Sequence, residues 1–241
     1  MDHAEHLFKG AFSEEYVFLR KICPASITMS ERVGAFVAGV DVHPQRPLTI
    51  FEIGCGTGIT SRYLLDAQPE ATVVAVDNAP SMIQQAASFL DASIESGQLR
   101  LIESDALAVL KTLDDHSIDV VASAYAIHNF LHGYRRRVHE EIFRVLRPGG
   151  VLVNGDRFGI DDEKTHLLTI QAEVKEYFRV FREADRLDLL EQWMVHLLSD
   201  ESAEHAMRLA PMLELMATIG FVDCTVHERF EVNALVSGRK P

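Results

Sequence analysis

Cysteine is scarce in this chain, and the three present, Cys23, Cys55 and Cys224, are widely spaced with no Cys-x-x-Cys pair among them. That pattern excludes a disulfide framework and a zinc-finger type of centre, so reduced thiols are expected. Positive charge is also in short supply, with 23 Lys and Arg against 36 Asp and Glu and a formal net charge of −13. So acidic a surface repels a phosphate backbone. The short basic run Arg135–Arg137 suits the solvated start of a helix better than a nucleic-acid site. No apolar run reaches the ~18 residues of a membrane span. The opening Met1–His6 lacks the basic start and apolar stretch of an export signal, so a cytoplasmic protein without a membrane or nucleic-acid partner is expected. Internal repeats and low-complexity stretches are absent as well.

What remains is an ordinary globular composition, 47% hydrophobic and 24% charged over 241 residues. Apolar runs at Leu48–Ile53, Thr72–Val76, Leu99–Glu103, Ile118–Ala124 and Val151–Asn154 alternate with helical stretches, notably Ser81–Ser96 and Tyr134–Leu146. Pro148-Gly149-Gly150 is expected to turn the chain into the fifth strand. Residues 161–210 carry no Gly or Pro and place Leu187, Leu190, Met194 and Leu197 at helical spacing. A helix over Pro211–Ile219 and two strands, Phe221–Phe230 and Glu231–Gly238, complete the pattern.

The expectation is an α/β fold, a Rossmann-like seven-stranded, mostly parallel sheet with a C-terminal antiparallel hairpin. It forms one domain over 1–241. Residues 1–47 are a helical N-terminal cap with helices over Ser13–Leu19 and Ser30–Val40, 48–160 the core, 161–210 a helical insertion after strand five, and 211–241 the C-terminal helix and hairpin. The cap and the insertion are expected to close as a lid over the carboxyl edge of the sheet, where such folds bind ligands.

The densest signal is Phe51-Glu-Ile-Gly-Cys-Gly-Thr-Gly58, an apolar strand running into three alternate glycines and then a helix from Ile59. Backbone without Cβ atoms lets a ligand approach a helix N-terminus closely, which points to a nucleoside-bearing cofactor. Asp77 closes the second strand, where a carboxylate accepts hydrogen bonds from both ribose hydroxyls. A nicotinamide cofactor calls for a third glycine at 59; that residue is Ile59.

These residues resemble the class I S-adenosylmethionine-dependent methyltransferases over roughly 48–158. Glu52–Gly58 is similar to that family's first motif, Val76–Ile83 to its second, Glu103–Ala106 to its third, Ala124–Phe130 to the loop after strand four, and Leu146–Gly150 to the turn before strand five. The resemblance implies S-adenosylmethionine as methyl donor and S-adenosylhomocysteine as product. It places Glu52 near the methionine amino group, the backbone of Gly54, Cys55, Gly56 and Gly58 around the methionine part, and Asp77 on the ribose. Asn78, Met82, Asp105, Ala106 and Ala124 are expected around the nucleoside. A thioether beside a flat ring and a carboxylate beside an ammonium agree with those roles. Met82 as a core residue, Asp105 as a helix cap and Cys55 as a buried thiol are the structural alternatives.

Because a sulfonium is already an activated leaving group, the protein has mainly to position the acceptor and exclude water. His128 and Tyr125, after strand four, and Tyr16 in the cap are the candidate catalytic residues, with His128 either accepting a proton, orienting substrate or packing structurally. Arg20, His132, Arg157 and Trp193 are candidate acceptor contacts, and His196 accompanies Trp193. Arg157 pairing with Asp156 or Glu163, and Trp193 as a core residue, are the alternatives. The His128 and His132 spacing suits two ligands on one helical face, but without a third ligand no metal is expected. The expected activity is in-line methyl transfer to a small-molecule acceptor, with a homodimer as the protein partnership left open. Two alternatives stand beside it: a cofactor-modifying enzyme similar to the carboxy-S-adenosylmethionine synthases, which must hold an extra carboxylate with an arginine such as Arg157, Arg182 or Arg186, and a non-catalytic cofactor-binding regulator.

Overall fold

The computed structural model describes residues 21–40 and 46–241. Along the chain run α1 (Pro24–Ala38), β1 (Thr49–Ile53), α2 (Ile59–Ala67), β2 (Thr72–Asp77), α3 (Pro80–Phe89), α4 (Asp91–Glu95), β3 (Leu99–Glu103), α5 (Ala106–Leu110) and β4 (Ile118–Ala124). A 3-10 turn at Ile127–Asn129 follows, then α6 (His132–Val145), β5 (Leu146–Arg157), α7 (Glu163–Glu183), α8 (Leu187–Asp200), α9 (Leu209–Ile219), β6 (Val222–Phe230) and β7 (Asn233–Arg239). The seven strands lie in the order β3-β2-β1-β4-β5-β7-β6. β1 to β5 pair in parallel, while β7 is antiparallel to both β5 and β6. The expected C-terminal hairpin is therefore present, and its second strand is the one that joins the sheet.

Side chains alternate across β1 and β4, so each strand feeds two cores. Phe51, Ile53 and Val121 join Val138, Ile142, Met212 and Met216 beneath α6 and α9. Ile50, Val120 and Ala122 join Val33, Val37 and Leu64 beneath α1 and α2. A third cluster, with Tyr177, Phe181, Leu190, Trp193 and Leu197, holds α7 against α8.

Three expected boundaries move by more than two residues. The helix foreseen over Ser30–Val40 starts earlier, at Pro24, whose fixed φ suits a first helical turn. The helix foreseen over Ser81–Ser96 breaks at Leu90 (φ −121°, ψ 28°), which turns its side chain into the core beneath α2. Pro148-Gly149-Gly150 lies inside β5 instead of preceding it. Leu146 pairs with Ile118 and Val151 with Val120, so residues 147–150 bulge opposite Asp119. Gly149 at φ +82° makes the bulge, and its N–H donates to the Lys240 carbonyl at 2.8 Å. The expected helix at Ser13–Leu19 lies outside the described residues.

The sheet order reverses between β1 and β4, and such a switch point leaves a crevice beyond the carboxyl ends of the strands.

Candidate active site

The floor of the crevice is the glycine turn after β1. The N–H groups of Gly54 and Cys55 both donate to the Val76 carbonyl, at 2.9 and 3.1 Å, which pins the turn to β2. Gly54 (φ +69°) and Gly56 (φ +52°) take left-handed backbone. A Cβ on Gly56 would meet open space, whereas one on Gly54 would collide with the Cβ of Ala126. Asp77 ends β2 with one oxygen accepting from Gly56 N–H and the other from Ala79 N–H, each at 2.9 Å. Burial pushes its carboxyl upward, and those backbone donors pull against the shift.

Behind the turn Glu52 is fully buried. Ser61 Oγ–H donates to its Oε2 at 2.5 Å, and Oε1 has no hydrogen-bond partner among the described residues. Burial, with a further push from the Asp77 charge and a counter-pull from Ser61, raises the Glu52 carboxyl to about 8.

One cavity extends from this turn to the underside of α7 and α8. At the turn it is lined by Gly54, Cys55, Gly56, Asp77, Asn78 and Met82, with Ser104, Ala106 and Ala124 beside them. At the far end it is lined by Tyr125, His128, Arg157, Tyr177, Trp193 and Asp200. Thus α7 and α8 supply walls to the same chamber that the glycine turn floors.

His128 stands on the 3-10 turn after β4, buried beside Asp156 of β5. Its Nδ1 lies 2.6 Å from Asp156 Oδ1, and its backbone N–H donates to Oδ2 at 3.2 Å. A carboxylate acceptor puts the proton on Nδ1 and leaves Nε2 toward the cavity. Burial disfavours the imidazolium, but the contacting Asp156 charge outweighs it and holds His128 above the ordinary imidazole range. Tyr125 stacks edge-on against His128, with ring centroids 5.5 Å apart. It occupies left-handed backbone at φ +54°, a strained position for a bulky residue. Its hydroxyl donates to Asn233, and burial raises its ionisation far beyond use as a base.

Arg157 reaches the cavity wall but is clasped: Nη1 and Nη2 donate to the two oxygens of Glu173 at 3.0 and 2.9 Å, and Nη2 also to Glu201 at 3.0 Å. The pairing foreseen with Asp156 or Glu163 is replaced by these two, one on α7 and one just beyond α8. Trp193 serves both roles weighed for it, lining the cavity and packing at right angles on Tyr177 with centroids 5.6 Å apart.

Four expected contacts fall outside the cavity wall. Glu52 lies behind the turn backbone. Gly58, at φ +87°, is the cap of α2, and a Cβ there would meet Leu90 Cδ1 at 2.8 Å, so its lack of side chain serves packing. Asp105 caps α5, accepting from Ala108 N–H at 2.8 Å and from the Tyr134 hydroxyl at 2.5 Å, which uses both oxygens. His132 is exposed on the first turn of α6, with Nε2 3.1 Å from the Ala206 carbonyl, well apart from His128's environment. Cys55 is a buried thiol whose ionisation burial raises strongly, which leaves it a wall and no nucleophile. Tyr16 and Arg20 lie outside the described residues, and Arg182 and Arg186 are not among those lining the cavity. The sequence reading missed Asp156 and Asp200 as site residues, although Asp200 follows His196 by four positions on a helix, a spacing that puts both on one face.

Residues 50–150 match the sequence profile of the methyltransferase domain family. Among curated proteins the chain is similar to a carboxy-S-adenosyl-L-methionine synthase of Photobacterium profundum, 26% identical over 123 residues, covering 50% of this chain and 49% of that protein. It is also similar to a demethylmenaquinone methyltransferase of Thermus thermophilus, 36% identical over 107 residues, covering 44% and 46%. The chain thus spans about half the length of the curated relatives it matches. A solved structure of an O-methyltransferase family protein from Burkholderia thailandensis superposes with a TM-score of 0.62 at 17% identity, over 89% of this chain and 57% of that one, which establishes likeness of fold. No helix among the described residues is long and apolar enough to cross a membrane.

Proposed function

We propose, for a chain whose residues 50–150 form a class I S-adenosylmethionine-dependent methyltransferase domain, that the enzyme transfers a methyl group to a small molecule held beneath α7 and α8. The observation that carries this reading is the continuity of one cavity from the glycine turn to Trp193. The donor end fits its cofactor: Gly56 leaves open the space a Cβ would fill, and Glu52 keeps one buried oxygen unpartnered for an ammonium. Bound there, S-adenosylmethionine supplies a methyl group already activated on a sulfonium. Asp77 would hold the ribose, and Met82 would pack on the adenine. Trp193, Tyr177 and Leu197 exclude water from the acceptor end, and His128, aimed by Asp156, positions the acceptor.

Incubation of the full chain with methyl-labelled cofactor and a panel of small hydroxyl-, amine- and enol-bearing acceptors tests this. Label in an acceptor supports it; tight cofactor binding with no labelled product from any acceptor favours the regulatory alternative. Asp77→Ala is expected to weaken cofactor binding by about 1–3 kcal/mol, roughly 5- to 150-fold. Unchanged affinity by calorimetry removes the ribose assignment.

The similarity to a carboxy-S-adenosyl-L-methionine synthase keeps a second reading, conversion of the cofactor itself. An extra carboxylate needs a free cation, and Arg157, the arginine among the described lining residues, already faces Glu173 and Glu201. Methyl transfer is therefore preferred. Mass spectrometry of the nucleoside released from denatured protein separates the two, since a carboxylated adduct supports only the second.

A further inference from the structure

The acceptor end of the cavity gathers two imidazoles and a carboxylate around one point. His128 Nε2 lies 3.9 Å and His196 Nε2 3.6 Å from the same oxygen of Asp200, both too long for hydrogen bonds. One donor atom from each of the three residues lies within 4.8 Å of the other two. The Asp200 side chain is only 8% exposed, and its second oxygen, Oδ1, has no hydrogen-bond partner among the described residues. A buried carboxylate with one oxygen unpaired is costly, and a cation held among the three groups would offset that cost.

We propose that His128, His196 and Asp200 bind one divalent transition-metal ion of the zinc type, with its remaining coordination position open to the cavity. Nitrogen and oxygen ligands sit about 2.0–2.2 Å from such an ion, which in a tetrahedron spaces the donors about 3.4 Å apart. The two separations to Asp200, 3.6 and 3.9 Å, lie a few tenths of an ångström above that. Two imidazoles and one carboxylate form a ligand set suited to zinc or ferrous iron, and three protein ligands leave a place for a substrate atom. His196 and Asp200 present their groups from one face of α8, four residues apart. His128 already has the outer carboxylate that metal-bound imidazoles generally carry, since Asp156 receives its Nδ1–H.

The surrounding charge favours a cation. Asp156, Asp200, Glu173 and Glu201 outnumber the neighbouring guanidinium groups of Arg157 and Arg135, and Arg157 is held by the two glutamates. The open position would take an oxygen of the acceptor, a hydroxyl or a carboxylate, and so fix it against the donor end. That last role rests on the methyl-transfer reading; the metal site does not.

The test is calorimetric titration of Zn²⁺ into chelator-treated full-length chain, with Mn²⁺ and Fe²⁺ in parallel. One ion is expected to bind at least about 100-fold more tightly to the unaltered protein than to His196→Ala or Asp200→Ala, and Asp156→Asn to cost roughly 10- to 100-fold by releasing His128. The eleven histidines of the chain give a background, so the difference between proteins is the readout. Affinities of all three ions within threefold of a His196→Gln, Asp200→Asn double variant, which keeps the side-chain volumes, would overturn the site. S-adenosylhomocysteine binding is measured on each protein: retained affinity shows that the variants fold, and its absence from the unaltered protein counts against the cofactor and leaves the metal result standing.

Discussion

Gly54→Ala is expected to weaken cofactor binding about 100-fold and to destabilise the protein together. Its φ of +69° costs a side-chain-bearing residue about 1–2 kcal/mol. The new methyl would also overlap the Ala126 Cβ, and overpacking of this kind costs about 1–3 kcal/mol more. Relief can come only by moving the turn off the Val76 carbonyl or by shifting the segment that leads into His128. Either movement spoils the floor of the crevice, so cofactor affinity should fall on the order of 100-fold, about 2.7 kcal/mol, and the melting temperature should drop with it. Gly56→Ala is the informative companion. Its Cβ meets open space and so spares the fold apart from backbone strain, yet it stands where the cofactor would lie. Loss of affinity with a drop in melting temperature no larger than the backbone strain of about 1–2 kcal/mol is the expected result there. Affinity within threefold of the unaltered protein in both variants would show that the glycine turn is not the cofactor floor.

Cofactor binding at pH 7 is expected to release close to one proton from Glu52. A carboxyl raised to about 8 is roughly nine-tenths protonated at that pH, and an ammonium brought beside its unpartnered oxygen pulls it back into the anionic range. Calorimetry in buffers of different ionisation enthalpy reads this directly: the observed enthalpy should track the buffer, and should cease to do so in Glu52→Gln. A buffer-independent enthalpy would remove Glu52 from the methionine end. The same group sets a pH dependence of stability. Its folded value lies above the ordinary 4.5, so its contribution is intact below pH 4.5 and is lost as pH rises toward 8. The free protein should therefore lose up to about 1.4 kcal/mol per pH unit across that window relative to Glu52→Gln. Thermal melts of the two proteins between pH 5 and pH 9 check the sign.

The core of the fold was legible because its signals are local. β3 and β4 occupy the expected Leu99–Glu103 and Ile118–Ala124, buried strands bounded by polar or small residues. The glycine turn and Asp77 also fall where strand, turn and strand spacing place them. What was not legible depended on long-range partners. Pro148-Gly149-Gly150 reads as a turn, and only the Lys240 backbone, far along the chain, makes it part of β5. Asp105 and Gly58 carry motif positions but are used by Ala108, Tyr134 and Leu90, contacts that no local pattern announces. His128 drew attention in the sequence, whereas the partners that define it, Asp156 and Asp200, come from another strand and from an inserted helix.

The Arg157 clasp bears on how such an enzyme is re-engineered. One side chain at the end of β5 grips α7 through Glu173 and the segment just beyond α8 through Glu201, so a single guanidinium ties both to the sheet. A designer who grafts the two helices from another protein must carry both glutamates along. Otherwise a buried guanidinium is left without counter-charge, a defect worth about 3–5 kcal/mol, and the new chamber would gape before it could choose its guest.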